Sequence, residues 1–169
     1  MHAQPDSAHI AAAPARRNRD ASGQPAAHLY HAVLPAPMCC LGAIFDGDTL
    51  VRLDFLPGDT PAHGGGDPRT ARLAAELDAY WADPDHAFSL PCAAHGTAFR
   101  RRVWDALTRI PRGTPTTYGQ LAAEIGSAPR AVGQACGDNP LPILIPCHRV
   151  LAAHGPGGFM HSRAPGSLD

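Results

Sequence analysis

The sequence predicts an α/β unit followed by a mostly α unit: a small sheet with one helix, then several short helices. Three observations support this fold class. Two short apolar runs flank Asp46-Gly47, which is a strong hairpin signal. Apolar residues recur at helical spacing over residues 69–82. Later in the chain, two short helical patterns are separated by Gly126, as in a helix-turn-helix.

The first predicted domain covers residues 29–95 and is a small α/β unit. The residues before it, 1–28, are rich in Ala, Pro, Gln and Arg without periodicity, so they are expected to form a disordered tail. The hairpin strands are expected at 41–45 and 50–55, with the amphipathic helix packed over them. A further short strand is expected at 87–90.

The second predicted domain covers residues 96–169. Thr97 is a good N-cap for a first helix that ends near Ile110. Thr117 and Gln120 have the spacing of a capping box, which marks the start of the second helix. This helix and the next form the predicted helix-turn-helix.

The third helix is expected over Pro129–Cys136, with Ser127 as its cap and Gly137 at its end. Its side chains are mostly small, and only Arg130 and Gln134 are long and polar. A helix that reads bases in the major groove normally carries several such side chains. The pattern therefore favours sequence-independent nucleic-acid binding through shape and phosphates.

The charge of the chain is unevenly distributed, although its formal net value is −1. Residues 1–96 contain six Arg against eleven Asp and Glu, whereas residues 97–150 contain seven Arg against three. A basic second half indicates a polyanionic partner. The chain has no lysine, so part of this arginine content reflects composition.

The cysteines and the apolar runs bear on cellular location. The chain has five cysteines with irregular spacing and no secretory signal pattern, which predicts a reduced intracellular protein, cytoplasmic or nuclear. No apolar run approaches the ~20 residues that cross a bilayer. Cys39, Cys40 and Cys92 do not have the spacing of recognised zinc ligand pairs, so ordinary thiols and no metal site are expected.

The candidate site is the segment 139–150, where a cysteine, a histidine and an arginine follow one another. Prolines restrict the backbone of the residues that precede the cysteine. Residues 143–145 are expected to be a buried extended segment that holds Cys147 in a fixed position. A thiol beside His148 and Arg149 can be kept as a nucleophilic thiolate. The alternative is that the cysteine is a small core residue.

The second half resembles the O6-alkylguanine-DNA alkyltransferases, also called methylated-DNA–protein-cysteine methyltransferases. Six blocks match in order over about fifty residues, which makes a chance match improbable. The matching blocks are Gly96-Thr97-x-Phe99, Val103-Trp104-x-x-Leu107, Ile110-Pro111-x-Gly113, Thr117-Tyr118-Gly119-x-Leu121-Ala122, Arg130-Ala131-Val132-Gly133, and Asn139-Pro140 with Ile145-Pro146-Cys147-His148-Arg149-Val150.

The resemblance implies a ribonuclease H-like first domain and a winged-helix-like second domain. It implies repair by irreversible transfer of an alkyl group from guanine O6, and from thymine O4, to Cys147. Arg130 would replace the base rotated out of the duplex. His148 would act as the base through a water, and Tyr118 would hydrogen-bond guanine N3.

The resemblance also assigns the surrounding residues and the partners. Asn139 would brace the turn before the site, and Phe159 would form one wall of the alkyl pocket. Arg149 is expected to be a structural ion-pair partner. The other pocket residues would be Pro142 and Val150, and the other DNA-binding residues Thr117, Ala131, Gln134 and Ala135. The expected partner is alkylated double-stranded DNA, bound by a monomer with no cofactor and no obligatory protein partner.

One departure from the family's pattern keeps alternatives open. The family's closing helix, with a glutamate that hydrogen-bonds the histidine, is not found before Asp169. Without that carboxylate a slower and less stable protein is expected. One alternative is therefore a non-catalytic protein that binds alkylated DNA, although such proteins replace the cysteine. Another is a winged-helix regulator in which Cys147 belongs to the core.

Overall fold

The computed structural model describes residues 27–152. Most of the predicted tail, Phe159 and the end of the chain lie outside the described residues. Within them, a three-stranded antiparallel sheet is followed by four helices and a two-stranded parallel pair. The elements are β1 (Ala32–Pro35), β2 (Cys40–Asp46), β3 (Thr49–Leu56), α1 (Pro68–Ala82), α2 (Ala98–Thr108), β4 (Thr116–Thr117), α3 (Tyr118–Glu124), α4 (Pro129–Gly137) and β5 (Val150–Leu151).

The sheet has the order β1-β2-β3, and the predicted hairpin is confirmed. Asp46 pairs with Thr49 across the turn, where Gly47 has a φ of 54° that suits glycine. The register shifts by one residue between Ile44 and Phe45, which is a β-bulge. The sheet packs its inner face on the helices.

The predicted helix over residues 69–82 is confirmed as α1, but the predicted strand at 87–90 is wrong. The buried Glu76 carboxylate on α1 instead accepts hydrogen bonds from the Ser89 amide, at 3.1 Å, and from the Ser89 hydroxyl. It also lies 2.7 Å from His86 Nε2. Side-chain contacts with a helix therefore hold this segment, so it needs no partner strand.

The capping signals of the second half are confirmed with one exception. Thr97 caps α2 and the Thr117–Gln120 capping box opens α3. Ser127 does not cap α4, because the N-cap position is Ala128. The Ser127 N–H instead donates to Ala122 O at 2.8 Å and completes the C-terminal turn of α3. The φ of 64° at Gly126 allows this turn.

One main hydrophobic core joins the sheet to the helices. It includes Leu41 and Leu53 from the sheet, Leu73 from α1, and Trp104 and Leu107 from α2. Each of these side chains is at most 2% exposed. None of the helices between residues 27 and 152 is long and apolar enough to cross a membrane.

The outer edge of β3 binds two later segments of the chain. Leu50 donates its N–H to Pro91 O at 2.8 Å and accepts from the N–H of Ala93 at 3.0 Å. Further along the same strand, the N–H of Leu53 donates to Pro140 O at 2.8 Å. The first half of the chain therefore holds the start of the 139–150 segment through the backbone.

A glycine next to Trp104 provides a test of the α2 packing. A Cβ on Gly96 would lie 2.6 Å from the Trp104 ring, so we expect Gly96→Ala to lower the free energy of unfolding by about 1–3 kcal/mol. Urea denaturation measures this. Gly119→Ala is the control, because its Cβ would meet nothing closer than 3.8 Å. Equal stabilities of the two variants would contradict the packing described.

Candidate active site and DNA-facing surface

The side chain of Asn139 organises the site. It follows α4 and is 5% exposed. Its Oδ1 accepts from the Leu141 N–H at 3.0 Å, and its Nδ2 donates to Ile145 O at 2.9 Å and to Cys147 Sγ at 3.3 Å. The carboxamide thus uses both donors and its acceptor inside the protein. It fixes the path of the chain and orients the thiol.

The segment before the cysteine is a tight turn, so the predicted extended conformation at 143–145 is wrong. The Ile145 N–H donates to Leu141 O at 2.8 Å, and Ile143 has a φ of 77°. A β-branched residue with a positive φ is strained. The surrounding contacts maintain it, because Pro142 is fully buried and the Asn139 amide bridges the ends of the turn.

Cys147 begins a single turn of 3-10 helix, Cys147–Arg149, and is 3% exposed. Burial raises the pKa of its thiol, against the opposing effect of hydrogen bonds from Asn139 and from the amides of Cys147 and His148. The expectation of a resting thiolate is therefore wrong: near neutral pH this cysteine is a thiol. Two surface clefts of about 560 and 410 Å³ flank the region, and Cys147 lines neither.

His148 lies beside the thiol in sequence but is exposed at the surface. Partial burial of its ring, and then the charge of Arg149, lower its pKa. The imidazole is therefore neutral near pH 7 and can accept a proton. Among residues 27–152 no carboxylate forms a hydrogen bond with His148.

Tyr118 is the first residue of α3 and packs against α4 at Gly133, where a Cβ would lie 3.9 Å from the ring. Burial raises the pKa of its hydroxyl, as do the thiols of Cys136 and Cys147. The phenol therefore keeps its proton. Cys136 is buried on α4, and its pKa rises to about 12 because of burial and the nearby Cys147.

This second thiol near the site was not predicted. In the sequence, Cys136 is one of five irregularly spaced cysteines. The one signal that could have placed it near the site is its position on the inner face of α4.

The residues after the cysteine are fixed by contacts with the helical half. Arg149 was expected to form an ion pair, but its Nη1 instead donates to Ile110 O at 2.7 Å, at the end of α2. Val150 is buried and pairs with Thr116 in the short parallel sheet. Thr117 pairs with the next residue of β5 while capping α3. The cysteine turn is therefore joined directly to the start of α3.

The outer surface of α4 carries most of the predicted DNA-binding side chains. Arg130 and Gln134 are exposed and lie one turn apart, with Ala131 half-buried beside them. Ala135 lies inward: it is 2% exposed, and its carbonyl accepts a hydrogen bond from Trp104 Nε1 at 2.8 Å. The small side chains leave the α4 backbone close to the surface.

The described cysteine and histidine side chains do not gather into a metal site. Within the described part of the chain, no group of three or more His, Cys, Asp or Glu side chains is placed to hold an ion. All five cysteines are free thiols.

The chain is similar in sequence to known proteins. Residues 98–166 match the family model described as 6-O-methylguanine DNA methyltransferase, DNA binding domain. The methylated-DNA–protein-cysteine methyltransferase of Methanosarcina acetivorans is 36% identical over 134 residues, which cover 75% of this chain and 86% of the relative. The Mycobacterium bovis protein of the same name is 36% identical over 149 residues, covering 80% and 89%.

Solved structures share the fold. The Mycobacterium tuberculosis OGT in complex with DNA is 37% identical, has a TM-score of 0.62, and is matched over 73% of this chain and 78% of its own. The O6-methylguanine DNA methyltransferase from Methanococcus jannaschii is 28% identical with a TM-score of 0.59, over 77% and 85%. With its small sheet, its helices and its buried Cys147 turn, this chain belongs to the methylated-DNA–protein-cysteine methyltransferase family.

Proposed function

We propose that this protein repairs DNA by transferring an alkyl group from guanine O6, and from thymine O4, to Cys147. The observation that carries the proposal is the buried Cys147 thiol, which is held by Asn139 and joined through β5 and β4 to the start of α3, the helix before α4. Relatives whose names state this methyl transfer support it. The alkyl carbon forms a bond with sulfur as its bond to the base oxygen breaks.

The proton of the thiol has to leave as sulfur attacks. His148 is neutral near pH 7 and exposed, so we propose that it takes this proton through a water molecule. The raised pKa of Cys147 means that the thiolate forms only as the reaction proceeds. This protects the cysteine from other electrophiles.

The departing base gains electron density and needs a donor. We propose that the Tyr118 hydroxyl hydrogen-bonds guanine N3, because its raised pKa keeps the proton available. We propose Asn139 as a positioning residue that acts through the turn, and the buried Pro142 and Val150 as residues that line the pocket. Phe159 remains the proposed pocket wall. The thioether is stable, so each molecule reacts once and the chemistry requires no cofactor.

The target base has to leave the duplex before it reaches Cys147. We propose that α4 enters the minor groove and that Arg130 fills the place of the extruded nucleotide, which costs a few kcal/mol and less for a poorly paired lesion. A guanidinium can both stack and hydrogen-bond there. Thr117, Ala131 and Gln134 would contact the DNA around it, and Ala135 would support the backbone from below.

The finer architecture is also part of the proposal. We assign residues 29–95 to a ribonuclease H-like domain and residues 96–169 to a winged-helix-like domain, connected by the shared core and by the Leu53–Pro140 hydrogen bond. Because one chain supplies every residue named above, we propose that the protein acts as a monomer.

Intact mass gives the direct test. After incubation with duplex DNA that contains O6-methylguanine, we expect the protein to gain one methyl group, mapped by peptide analysis to Cys147. Cys147→Ala should bind the duplex and gain nothing, while Cys92→Ala, which changes an exposed thiol, should react normally. A folded protein that binds methylated DNA without gaining mass would instead favour the non-catalytic lesion-binding function.

The pH dependence tests the role of His148. Because its pKa is lowered, the imidazole stays neutral to below the ordinary histidine range of about 6.5. The rate of single-turnover transfer should therefore be level around neutral pH and fall only below that range. The His148→Gln variant should not show this fall in rate at low pH. It should react about 10²–10⁴-fold more slowly, with its DNA affinity unchanged. An unaltered pH profile in the variant would remove His148 from the mechanism.

The role of Asn139 can be separated from general packing with two variants. Asn139→Ala removes all three hydrogen bonds, so the free energy of unfolding should fall by about 1–3 kcal/mol and transfer should slow. Asn139→Asp keeps the acceptor for the Leu141 amide but places a carboxylate beside the thiol. It should raise the pKa of Cys147, measured by thiol alkylation against pH. Normal stability of Asn139→Ala would contradict the bracing role.

A further inference from the structure

The indole of Trp104 is a buried hydrogen-bond donor that the proposed reaction does not use. Trp104 lies on the buried face of α2 and is 2% exposed. Its Nε1 donates to the Ala135 carbonyl of α4 at 2.8 Å. A buried tryptophan N–H needs an acceptor, and here the acceptor belongs to the helix that leads into the site. The bond therefore acts on the end of α4.

The last turn of α4 explains why this carbonyl is available. In an unbroken α-helix, the N–H of Asn139 would donate to Ala135 O, four residues earlier. The Asn139 N–H instead donates to Cys136 O at 3.2 Å, which is the tighter spacing of a 3-10 turn. Pro140 disfavours a helical backbone at the residue before it, so the helix has to end before Asn139.

Ending the helix here takes the usual donor away from the Ala135 carbonyl. Ala135 is 2% exposed, so water does not readily replace that donor. The Trp104 indole supplies an N–H in its place. Asn139, which has left the helix, donates from its carboxamide to Cys147 Sγ at 3.3 Å and to Ile145 O at 2.9 Å. The indole and the thiol are therefore connected through one helix end.

The Trp104 ring is held against α4 from its opposite edge. The far edge of the six-membered ring packs on Gly96, where an added Cβ would lie 2.6 Å from Cη2 and 2.7 Å from Cζ3. Val103 and Leu107, its neighbours on α2, are fully buried. The ring thus has little space in which to move away from α4, and the N–H is presented at a fixed place.

We propose that Trp104 is a positioning residue for the nucleophile Cys147: its indole hydrogen bond sets the end of α4, and through it the place of Asn139. The consequence for alkyl transfer rests on the proposed function, whereas the consequence for the thiol does not. Without the indole N–H, Ala135 O competes with Cys136 O for the Asn139 N–H. The carboxamide is then drawn away from the thiol, and Cys147 loses a hydrogen bond that lowers its pKa.

The test removes the indole N–H and keeps the bicyclic ring. The chain has two tryptophans, so in a Trp81→Phe background a tryptophan analogue enters at position 104 alone. The analogue is benzothienylalanine, in which sulfur replaces the N–H. We expect the midpoint pH for alkylation of Cys147, followed by peptide mass, to rise. Single-turnover methyl transfer at saturating methylated duplex should slow about tenfold, the effect of losing roughly one hydrogen bond. The affinity for unmodified duplex should stay the same.

Trp81→Phe with ordinary tryptophan at position 104 is the matched control, because Trp81 is 39% exposed on α1. Trp104→Phe removes the same donor by mutation and should shift the midpoint and the rate in the same directions.

A lower free energy of unfolding with an unchanged alkylation midpoint would mean that Trp104 only fills the core, and would overturn the inference. An unchanged rate of transfer in the analogue protein, with an active control, would overturn it as well. If the parent protein and the control transfer no methyl group, the proposed function fails, and the alkylation midpoint, measured without DNA, alone decides the role of Trp104.

Discussion

The rest of the site depends on the hydrogen bonds of one buried carboxamide. Asn139 forms hydrogen bonds with the Leu141 amide, the Ile145 carbonyl and the Cys147 thiol together, and so closes the turn jointly with the backbone hydrogen bond from Ile145 to Leu141. A buried polar group that is left unpaired costs about 1–3 kcal/mol, so these three bonds are made together or the turn opens. The strained backbone at Ile143 is held by this requirement.

The sheet supports the structure of the site, although no residue with a proposed chemical role lies on it. The edge of β3 hydrogen-bonds Pro140, immediately after Asn139, and so fixes the segment from the side opposite to the helices. On the helical side, Trp104 holds α4 through the Ala135 carbonyl, and Arg149 holds the end of α2. The cysteine is thus positioned from two halves of the chain at once.

The electrostatics of the site favour the uncharged forms of both Cys147 and His148. Burial keeps Cys147 protonated, whereas the exposed His148 is kept neutral. A thiol with a raised pKa reacts slowly with solutes. In the proposed reaction, the neutral imidazole takes the proton of the thiol through a water molecule. The two pKa shifts have the same largest cause, which is the partial loss of solvent contact by each side chain.

Some elements of the fold follow from local signals in the amino-acid sequence. The hairpin at Gly47 and the caps at Thr97 and Thr117 depend on residues at most a few positions apart, so they can be predicted from the chain. Tertiary structure decided the turn at Ile143, the high pKa of the thiol and the approach of Cys136. These follow from burial and from contacts such as Leu53–Pro140, between residues far apart in sequence. Local pattern does not carry that information, because burial is a property of the whole packed core.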